Sequence, residues 1–428
     1  MRSLFLKKEY YLVLYYLVLL LIFFVMMKPE VSFSLPVRIV AMAFVFIPVA
    51  FHSEILPFSL LCFHGVSSMS FAPILPASSF YYLLVSLLFY IFYKHKSHLL
   101  FTALFVLLYF LSISLIYNDS LEYLVYLFIS LIMADMIKDK QGLNYIFLAF
   151  VLISVFLSVL FLTHTKDFVV QYGDSTIGVE RMGWINPNSF SAIIGAGGVL
   201  AVAYITKTLD LYPNKVLYYL CIVAALLSTI VIIMNASRGA LLALVFPSVL
   251  MILRYRGNWF FRLLLVFVCV IFVIWLLNSD FFELLSIRMQ EDTLQTGGGR
   301  ISIWEYKLPL FLTDNNIFHL LFGIGYSGCT ALGNNISTHN DFITALIGFG
   351  IIGFFISIFT LLVYPVLKTN KKDRWTSVIL LFYLLIECLV LEPFFRGYLF
   401  VMMFYVFVLK NAMISNYNNI TKKNLSVI

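Results

Sequence analysis

The chain has 428 residues, of which 62% are hydrophobic and 11% are charged, whereas a soluble domain usually has about 25% charged residues. This composition excludes an ordinary soluble enzyme. The net charge of +7 does not indicate nucleic-acid binding, because the basic residues are dispersed over many short loops and make no continuous basic groove.

Apolar runs of roughly 20 residues recur along the whole chain, and a helix of that length crosses the ~30 Å hydrocarbon core of a bilayer. The runs are continuous rather than alternating, which favours helices. We therefore predict an all-α polytopic membrane protein with about 12–14 transmembrane helices, built as a single integral membrane domain over residues 1–428. The number of predicted transmembrane helices depends on how residues 28–79 cross the membrane. The predicted spans are residues 10–27, 35–51, 55–71, 80–93, 99–117, 121–137, 143–162, 190–205, 216–234, 240–253, 259–277, 342–367, 377–391 and 399–409.

Charge predicts the orientation of the chain, because lysine and arginine concentrate in short cytoplasmic loops. Most of the 28 basic residues lie in one alternating set of loops that includes both termini, which are therefore expected in the cytoplasm. The first apolar run is expected to be a retained span, since Lys28 and Glu30 follow it instead of a small-residue cleavage site. Two long segments, residues 164–188 and 278–340, then lie on the outer face, and 278–340 is predicted to be the main functional loop.

Four arginines on the outer face oppose this charge bias: Arg181, Arg238, Arg300 and Arg396. A charge beside apolar surface is costly and is usually kept for a function. Because these arginines come from separate outer loops, they are candidates for one shared anion site.

Arg181 follows Glu180 in the first outer segment. Asn188, a little further on, is expected to cap the helix that begins there. We interpret Arg181 as an anion ligand at the membrane surface. The alternative interpretation is a surface ion pair with Glu180 or Asp174.

Arg238 lies in a short turn in which Asn235 or Ser237 can cap the next helix. Free backbone N–H groups and the positive end of the helix dipole gather at such a position, which suits a phosphate. The alternative interpretation is an interfacial arginine whose head group extends to water.

Arg300 follows the three glycines 297–299, whose backbone can approach an anion closely. An apolar stripe that includes Trp304 and Leu308 predicts a short helix on the membrane surface, ended by Pro309. The alternative interpretation is that the glycines only make a flexible loop.

His339 stands between Thr338 and the pair Asn340 and Asp341, just before a predicted span on the outer face. Histidine can act as a general base near neutral pH, and the neighbouring carboxylate can orient it. The alternative interpretation is a capping segment for the next helix. Capping and catalysis are compatible here.

The chemistry that these residues suggest is glycosyl transfer from a lipid-pyrophosphate donor. Guanidinium groups grip a pyrophosphate in fork geometry, and a histidine activates a hydroxyl. No metal site or other cofactor is predicted, because His95 and His98 lie beside lysines that repel a cation, and the five cysteines are scattered.

These motifs together resemble the superfamily of O-antigen polymerases and O-antigen ligases of bacterial envelopes. The matching pieces lie in order between residues 170 and 360, and a large outer loop ends at the His-Asn pair. They are Arg181-Met-Gly and Asn186-Pro-Asn188, Ser237-Arg238-Gly239, Gly299-Arg300-Ile-Ser-Ile-Trp304, Gly323-Ile-Gly325 and His339-Asn340-Asp341, followed by Gly348, Gly350 and Gly353.

The resemblance implies a membrane glycosyltransferase bundle of the GT-C-like kind, with a large periplasmic loop, in the bacterial inner membrane. It implies an undecaprenyl-pyrophosphate-linked oligosaccharide as substrate, membrane lipid around it, and a chain-length regulator and a flippase as partners. It implies neither a metal nor a nucleotide sugar. The catalytic residues that it suggests are His339, Arg300, Arg238 and Arg181, and the further substrate contacts are Glu180, Arg288, Asn340 and Asp341.

Two questions stay open within this interpretation, and a transporter and a scaffold are alternatives to it. Polymerases of the group often show an Arg-x10-Gly pattern, which Arg288 and Gly299 fit, so either Arg288 or Arg300 is the functional arginine of the second loop. A polymerase of O-antigen or capsule repeats is favoured over a ligase, because ligases more often carry a second histidine where Ser337 stands. A transporter of lipid-linked oligosaccharide is supported by Glu387 within a span. A membrane scaffold would leave the outward arginines without a reason.

Overall fold

A computed structural model describes most of the chain. The described residues are 11–22, 34–51, 55–67, 83–84, 86–87, 99–119, 121–164, 166–172, 175–181, 187–235, 237–255, 259, 263, 300–314, 316–332, 336–370, 373–395 and 399–425.

Helices make up almost all of the described structure. In chain order they are α1 (Tyr11–Ile22), α2 (Leu35–Phe51), α3 (Leu56–Ser67), α4 (Leu99–Ile116), α5 (Glu122–Met136), α6 (Lys140–His164), α7 (Pro187–Ile205), α8 (Lys215–Met234), α9 (Arg238–Leu253), α10 (Arg300–Leu312), α11 (Ile317–Phe322), α12 (Gly325–Ala331), α13 (Asp341–Ile358), a π-helix (Phe359–Val363), α14 (Tyr364–Lys368), α15 (Arg374–Val390) and α16 (Leu399–Leu425).

The predicted all-α membrane fold is confirmed. A bilayer offers no partner for free backbone groups, so continuous apolar runs fold as helices, which satisfy those groups internally. Among the described residues, four helical stretches are long and apolar enough to cross a membrane: Lys140–Thr163, Asn188–Ile205, Lys215–Met234 and Asp341–Lys368. Five shorter apolar helices accompany them.

Most of the predicted spans coincide closely with the described helices, but α16 continues to Leu425, well past the predicted span 399–409. The span at 35–51 has the bounds of α2, and the span at 342–367 corresponds to α13, the π-helix and α14 together. The predicted spans 80–93 and 259–277 lie almost wholly outside the described residues. The number of membrane crossings therefore stays a prediction.

A β-hairpin in the first outer segment is a feature that the sequence reading missed. β1 (Lys166–Tyr172) pairs antiparallel with β2 (Ser175–Arg181), and the register joins Tyr172 to Ser175 and Lys166 to Arg181. The segment following α6 is thus a two-stranded ribbon, and Arg181 stands at the end of its second strand.

Helix α7 lies at the centre of the bundle and packs against α6, α8 and α9. Its Gly197 is so close to α6 that a Cβ would lie 2.5 Å from the carbonyl oxygen of Phe150. The hydroxyls of Ser154 and Ser228 are 2.8 Å apart, and Ser154 also donates to the carbonyl of Ile194 at 3.0 Å. Small residues thus allow the close helix contacts that are typical of membrane bundles.

The outer segment 300–332 folds as three short helices packed on the first half of α13. A Cβ on Gly323 would lie 2.2 Å from the carbonyl oxygen of Gly348, so this approach requires glycine. Gly350, with φ of 69°, kinks α13.

The amphipathic piece that the sequence places at residues 301–312 coincides with α10, but the expectation that Pro309 limits this helix is wrong, because the helix continues to Leu312. A proline removes the hydrogen bond that its own nitrogen would make, but its carbonyl still accepts from the N–H of Thr313 at 2.9 Å. The Pro309 ring also lies on the exposed side of the helix.

Candidate functional site

The site forms where the first residues of α9, α10 and α13 meet the turn that follows α15. His339 lies in the short loop before α13 and has a positive φ of 52°. Asn340 ends this loop, and its side chain accepts from the N–H groups of Phe342 and Ile343 at 2.9 and 3.1 Å. The predicted capping of α13 is thereby confirmed for Asn340, which leaves the imidazole of His339 outside the cap.

Glu392, in the turn after α15, binds the loop that carries His339. Its Oε1 accepts from the hydroxyl of Thr344 at 2.6 Å and from that of Thr338, and its Oε2 accepts from the hydroxyl of Ser337. The residue is only 1% exposed. The sequence reading placed Glu392 on the outer face but gave it no role.

Asp341, at the start of α13, binds in turn the segment that carries Glu392. Its two carboxylate oxygens accept from the backbone N–H groups of Phe394 and Phe395 at 3.2 and 3.3 Å. Each of the two segments therefore holds the other with a buried carboxylate. We call this pair of contacts, made by Glu392 and Asp341, the carboxylate clasp.

Arg300 is fixed to the same loop through its own helix. Trp304, one turn further along α10, donates its indole N–H to the carbonyl of Thr338 at 2.7 Å. The helix that starts at Arg300 is thus attached to the residue just before His339. This contact joins the helix that begins at Arg300 to the loop that carries His339, two elements whose residues the sequence predicted to cooperate.

Arg238 and Arg300 interact electrostatically. Burial lowers the pKa of the Arg300 guanidinium, and the positive charge of Arg238 acts in the same direction, whereas Glu387 and Glu392 oppose both. The guanidinium stays protonated at any physiological pH. Arg238 and Arg300 are 62 positions apart in the sequence. The charge of Arg300 nevertheless interacts with that of Arg238 and with those of the two carboxylates.

Arg238 begins α9, as expected, but Ser237 and Asn188 do not cap helices as predicted. The hydroxyl of Ser237 donates to Oδ1 of Asn188 at 3.0 Å instead of capping α9. Helix α7 begins at Pro187, so Asn188 lies in its first turn rather than at its cap. The hydrogen bond joins the starts of α7 and α9, because each side chain satisfies the other instead of its own helix. The side chain of Asn235, the other candidate cap, donates to Ser191 at 2.8 Å.

Glu387 lies fully buried on α15, and neither of its carboxylate oxygens has a hydrogen-bond partner. Its charge interacts with that of Arg300. A buried carboxyl group is costly to ionise, and Arg300 is the cation that favours its ionised form. The sequence reading took Glu387 as support for transport, and the structure places it within electrostatic reach of Arg300.

Lys307 is a further buried cation near the clasp that the sequence reading missed. Its Nζ donates to the carbonyls of Cys329 and Thr330 at 2.7 and 2.9 Å, at the end of α12. Burial lowers the pKa of Lys307, while Cys329 and Glu392 act in the opposite direction. The sequence feature that could have identified Lys307 is its position on a mostly apolar face of the helix.

An apolar cavity of about 430 Å³ opens beside the clasp. It extends along the helices from Asp341 and Phe342 to Tyr364 and Leu409, and almost all of its lining is hydrophobic. Its dimensions and lining suit a hydrocarbon chain.

The other predicted site residues are less fully described. Arg181 and Glu180 stand at the end of β2, where Glu180 pairs with Asp167 through the backbone. Arg288 and Arg396 lie outside the described residues. Within the described ranges, no group of three or more His, Cys, Asp or Glu side chains is arranged to hold a metal ion.

One comparison with known proteins found a match. Residues 223–358, roughly a third of the chain, match a protein-family model described as O-antigen ligase. No curated protein matches the chain. The matched segment contains Arg238, Arg300 and His339. Over these residues the resemblance to the superfamily of O-antigen polymerases and O-antigen ligases is confirmed, and the described helices are those of a membrane protein.

Proposed function

We propose that this protein is a glycosyltransferase that polymerises O-antigen or capsular repeat units. It joins oligosaccharide repeats carried on undecaprenyl pyrophosphate at the outer face of the bacterial inner membrane, and both of its termini are cytoplasmic. One observation carries the proposal: Arg238 and Arg300 lie in one electrostatic cluster, and Trp304 fixes the helix of Arg300 to the loop of His339.

The arginines supply the binding site for the diphosphate of the donor. Planar guanidinium groups bind phosphate oxygens through paired charge-assisted hydrogen bonds. Arg238 also stands at the first position of α9, a helix of 16 residues, whose dipole favours an anion there. Arg181, from the hairpin, is proposed as a third ligand, and Arg288 as an alternative to Arg300.

The apolar cavity is the proposed place for the first part of the polyprenyl chain. It starts at Asp341, two residues from His339, so a lipid in the cavity would present its diphosphate near the arginines. Burying an apolar chain is favourable at roughly 25 cal/mol per Å². The lipid tail would therefore supply much of the donor's affinity, and the arginines its orientation.

In this scheme His339 acts as the general base. A hydroxyl oxygen of the acceptor attacks the anomeric carbon of the donor, the bond from that carbon to the pyrophosphate oxygen breaks, and the hydroxyl proton passes to His339. The released undecaprenyl pyrophosphate carries the negative charge, which the guanidinium groups stabilise as it develops. Asn340, Asp341 and Glu180 are proposed to line the sugar side of the site.

A polymerase is preferred over a ligase because of the resemblance: Ser337 occupies the position where ligases more often carry a second histidine. The hydroxyl of Ser337 donates to Glu392. A chain-length regulator and a flippase are the proposed protein partners.

Deleting the gene and analysing the glycan tests the proposal and separates its competitors. Single repeats on the lipid A-core or other anchor would support the polymerase. Polymer that accumulates on the carrier lipid would mean a ligase, which transfers glycan to lipid A-core. Single repeats that stay on the cytoplasmic side of the membrane would mean a transporter.

A further inference from the structure

The carboxylate clasp binds the loop of His339 on both sides of the histidine. Ser337 and Thr338 precede it and Thr344 follows it, and all three hydroxyls donate to the single carboxylate of Glu392. An ionised carboxylate only accepts hydrogen bonds, so it can serve three donors at once. One side chain thus contacts the chain on both sides of His339.

The backbone at both ends of this contact has an unfavourable conformation. His339 has φ of 52° and Glu392 has φ of 66°, in the left-handed region that residues with a side chain rarely adopt. Such conformations persist only where surrounding contacts hold them, and they are typical of functional sites. The neighbours of His339 donate to Glu392, and the N–H of His339 itself donates to the hydroxyl of Ser337 at 3.3 Å.

The clasp also lies within the charge cluster of the site. Glu392 interacts electrostatically with Arg300 and with Lys307. Its carboxylate therefore connects the loop of His339 to the basic residues by charge as well as by hydrogen bonds. Removing it would leave three hydroxyls and two cations to rearrange.

We infer that Glu392 is a positioning residue of the transfer reaction, which holds His339 in place against the site formed by Arg238 and Arg300. As a statement about the reaction, the inference rests on the proposed function. As a statement about the loop, it rests on the described contacts alone. Glu392 lies outside the segment that matches the family model, which ends at residue 358.

The first experiment measures kcat and KM for a lipid-linked repeat unit with purified protein. Glu392→Ala should lower kcat roughly 100-fold, since a displacement of about 1 Å has such effects, while KM for the donor changes less than about threefold. Glu392→Gln, whose amide oxygen can still accept from Thr338 and Thr344, should recover activity to within roughly tenfold of the original.

Asp119→Asn is the matched control. Asp119 is also a buried carboxylate that holds a separate segment, because it accepts from the N–H groups of Tyr326 and Ser327 in the first turn of α12 at 2.5 and 2.8 Å. Unchanged kcat in Asp119→Asn, with loss in Glu392→Ala, supports positioning. Equal losses in both variants, or a Glu392→Ala variant with kcat within about threefold of the original, would overturn the inference.

A second experiment separates this inference from the proposed function. Ile336→Cys puts a thiol on an exposed position of the loop, and its labelling by a membrane-impermeant maleimide reports how firmly the loop is held. Labelling should accelerate when Glu392→Ala is added and stay slow with Asp119→Asn. Labelling at the same rate in both backgrounds would contradict the inference, whether or not the protein polymerises glycan.

Where Glu392→Ala does not insert into the membrane, Thr344→Val replaces it, because it removes only one of the three donors. A fall in kcat of roughly tenfold, with KM unchanged, would support the inference. Activity equal to that of the original protein in this variant would overturn it.

Discussion

Replacing Arg300 by lysine separates the charge of this residue from its shape. Arg300→Lys keeps a positive charge beside Glu387, so the buried carboxylate retains its compensating group. The ammonium group is a single point charge and cannot make the two parallel hydrogen bonds of a guanidinium. The variant should therefore fold and insert normally but bind the diphosphate less well.

The expected magnitude follows from the loss of one charge-assisted hydrogen bond. Such a bond contributes about 1.5–3 kcal/mol, which corresponds to a fall in kcat/KM of about 10- to 150-fold. Arg300→Ala should lose more, because both bonds disappear and Glu387 is left buried without its cation. This second variant should abolish chain extension and also lower thermal stability.

The assay is chain extension from purified lipid-linked repeat units, with Arg254→Lys as the control. Arg254 follows the other end of α9, where it stacks on Trp375 at 5.6 Å, and no role in the site is proposed for it. Arg254→Lys should leave kcat/KM unchanged. Full activity in Arg300→Lys would refute the idea that the guanidinium fork of Arg300 holds the donor, and would point to Arg288 instead.

Four further predictions test the neighbouring residues. His339→Ala should lower kcat by about 10²- to 10⁴-fold while donor binding persists, and a loss of donor binding measured with undecaprenyl pyrophosphate would reassign the residue. Trp304→Phe removes the hydrogen bond to Thr338, so kcat should fall roughly tenfold with the protein still folded by thermal unfolding; unchanged kcat would mean that the two helices are held otherwise. Adding Glu387→Gln to Arg300→Ala should raise thermal stability at alkaline pH, where the buried carboxyl group would ionise without its cation, but should not restore activity; no gain in melting temperature at that pH would contradict the interaction. A cysteine in place of Gln295 should react with an impermeant reagent from outside the inner membrane, and labelling only after permeabilisation would reverse the proposed topology.

The helices could be predicted from the sequence because the bilayer imposes a simple rule. Every long apolar run must satisfy its own backbone, so hydropathy alone located α2 and the long stretch 341–368. The hairpin at residues 166–181 had a signal of its own. Gly173-Asp174 stands between two alternating stretches, a pattern typical of a two-residue hairpin turn.

The arginines were singled out from the sequence because they oppose the charge bias of the predicted outer face, and the histidine because of its polar neighbours. Their convergence was expected from that shared face and from the resemblance, since nothing local in the chain relates position 238 to position 300. Glu392 was overlooked for a similar reason: its hydrogen-bond partners lie about 50 positions earlier, at Ser337, Thr338 and Thr344. A buried carboxylate that serves distant hydroxyls leaves no periodic pattern in the sequence.

Asn188 and Ser237 show how tertiary contacts override a local rule. Each has the residue type of a helix cap, yet the two side chains bind each other across the starts of two helices. Capping predictions consider one helix at a time. In a bundle where several helix starts meet at one surface, the alternative partner lies on a neighbouring helix.

The most direct test of the central claim is a cryo-electron-microscopy structure of the protein with undecaprenyl pyrophosphate bound. The account predicts phosphate oxygens at about 2.7–2.9 Å from the guanidinium groups of Arg238 and Arg300, with the imidazole of His339 facing the same site. A diphosphate bound elsewhere, with these three side chains in separate surroundings, would contradict the account.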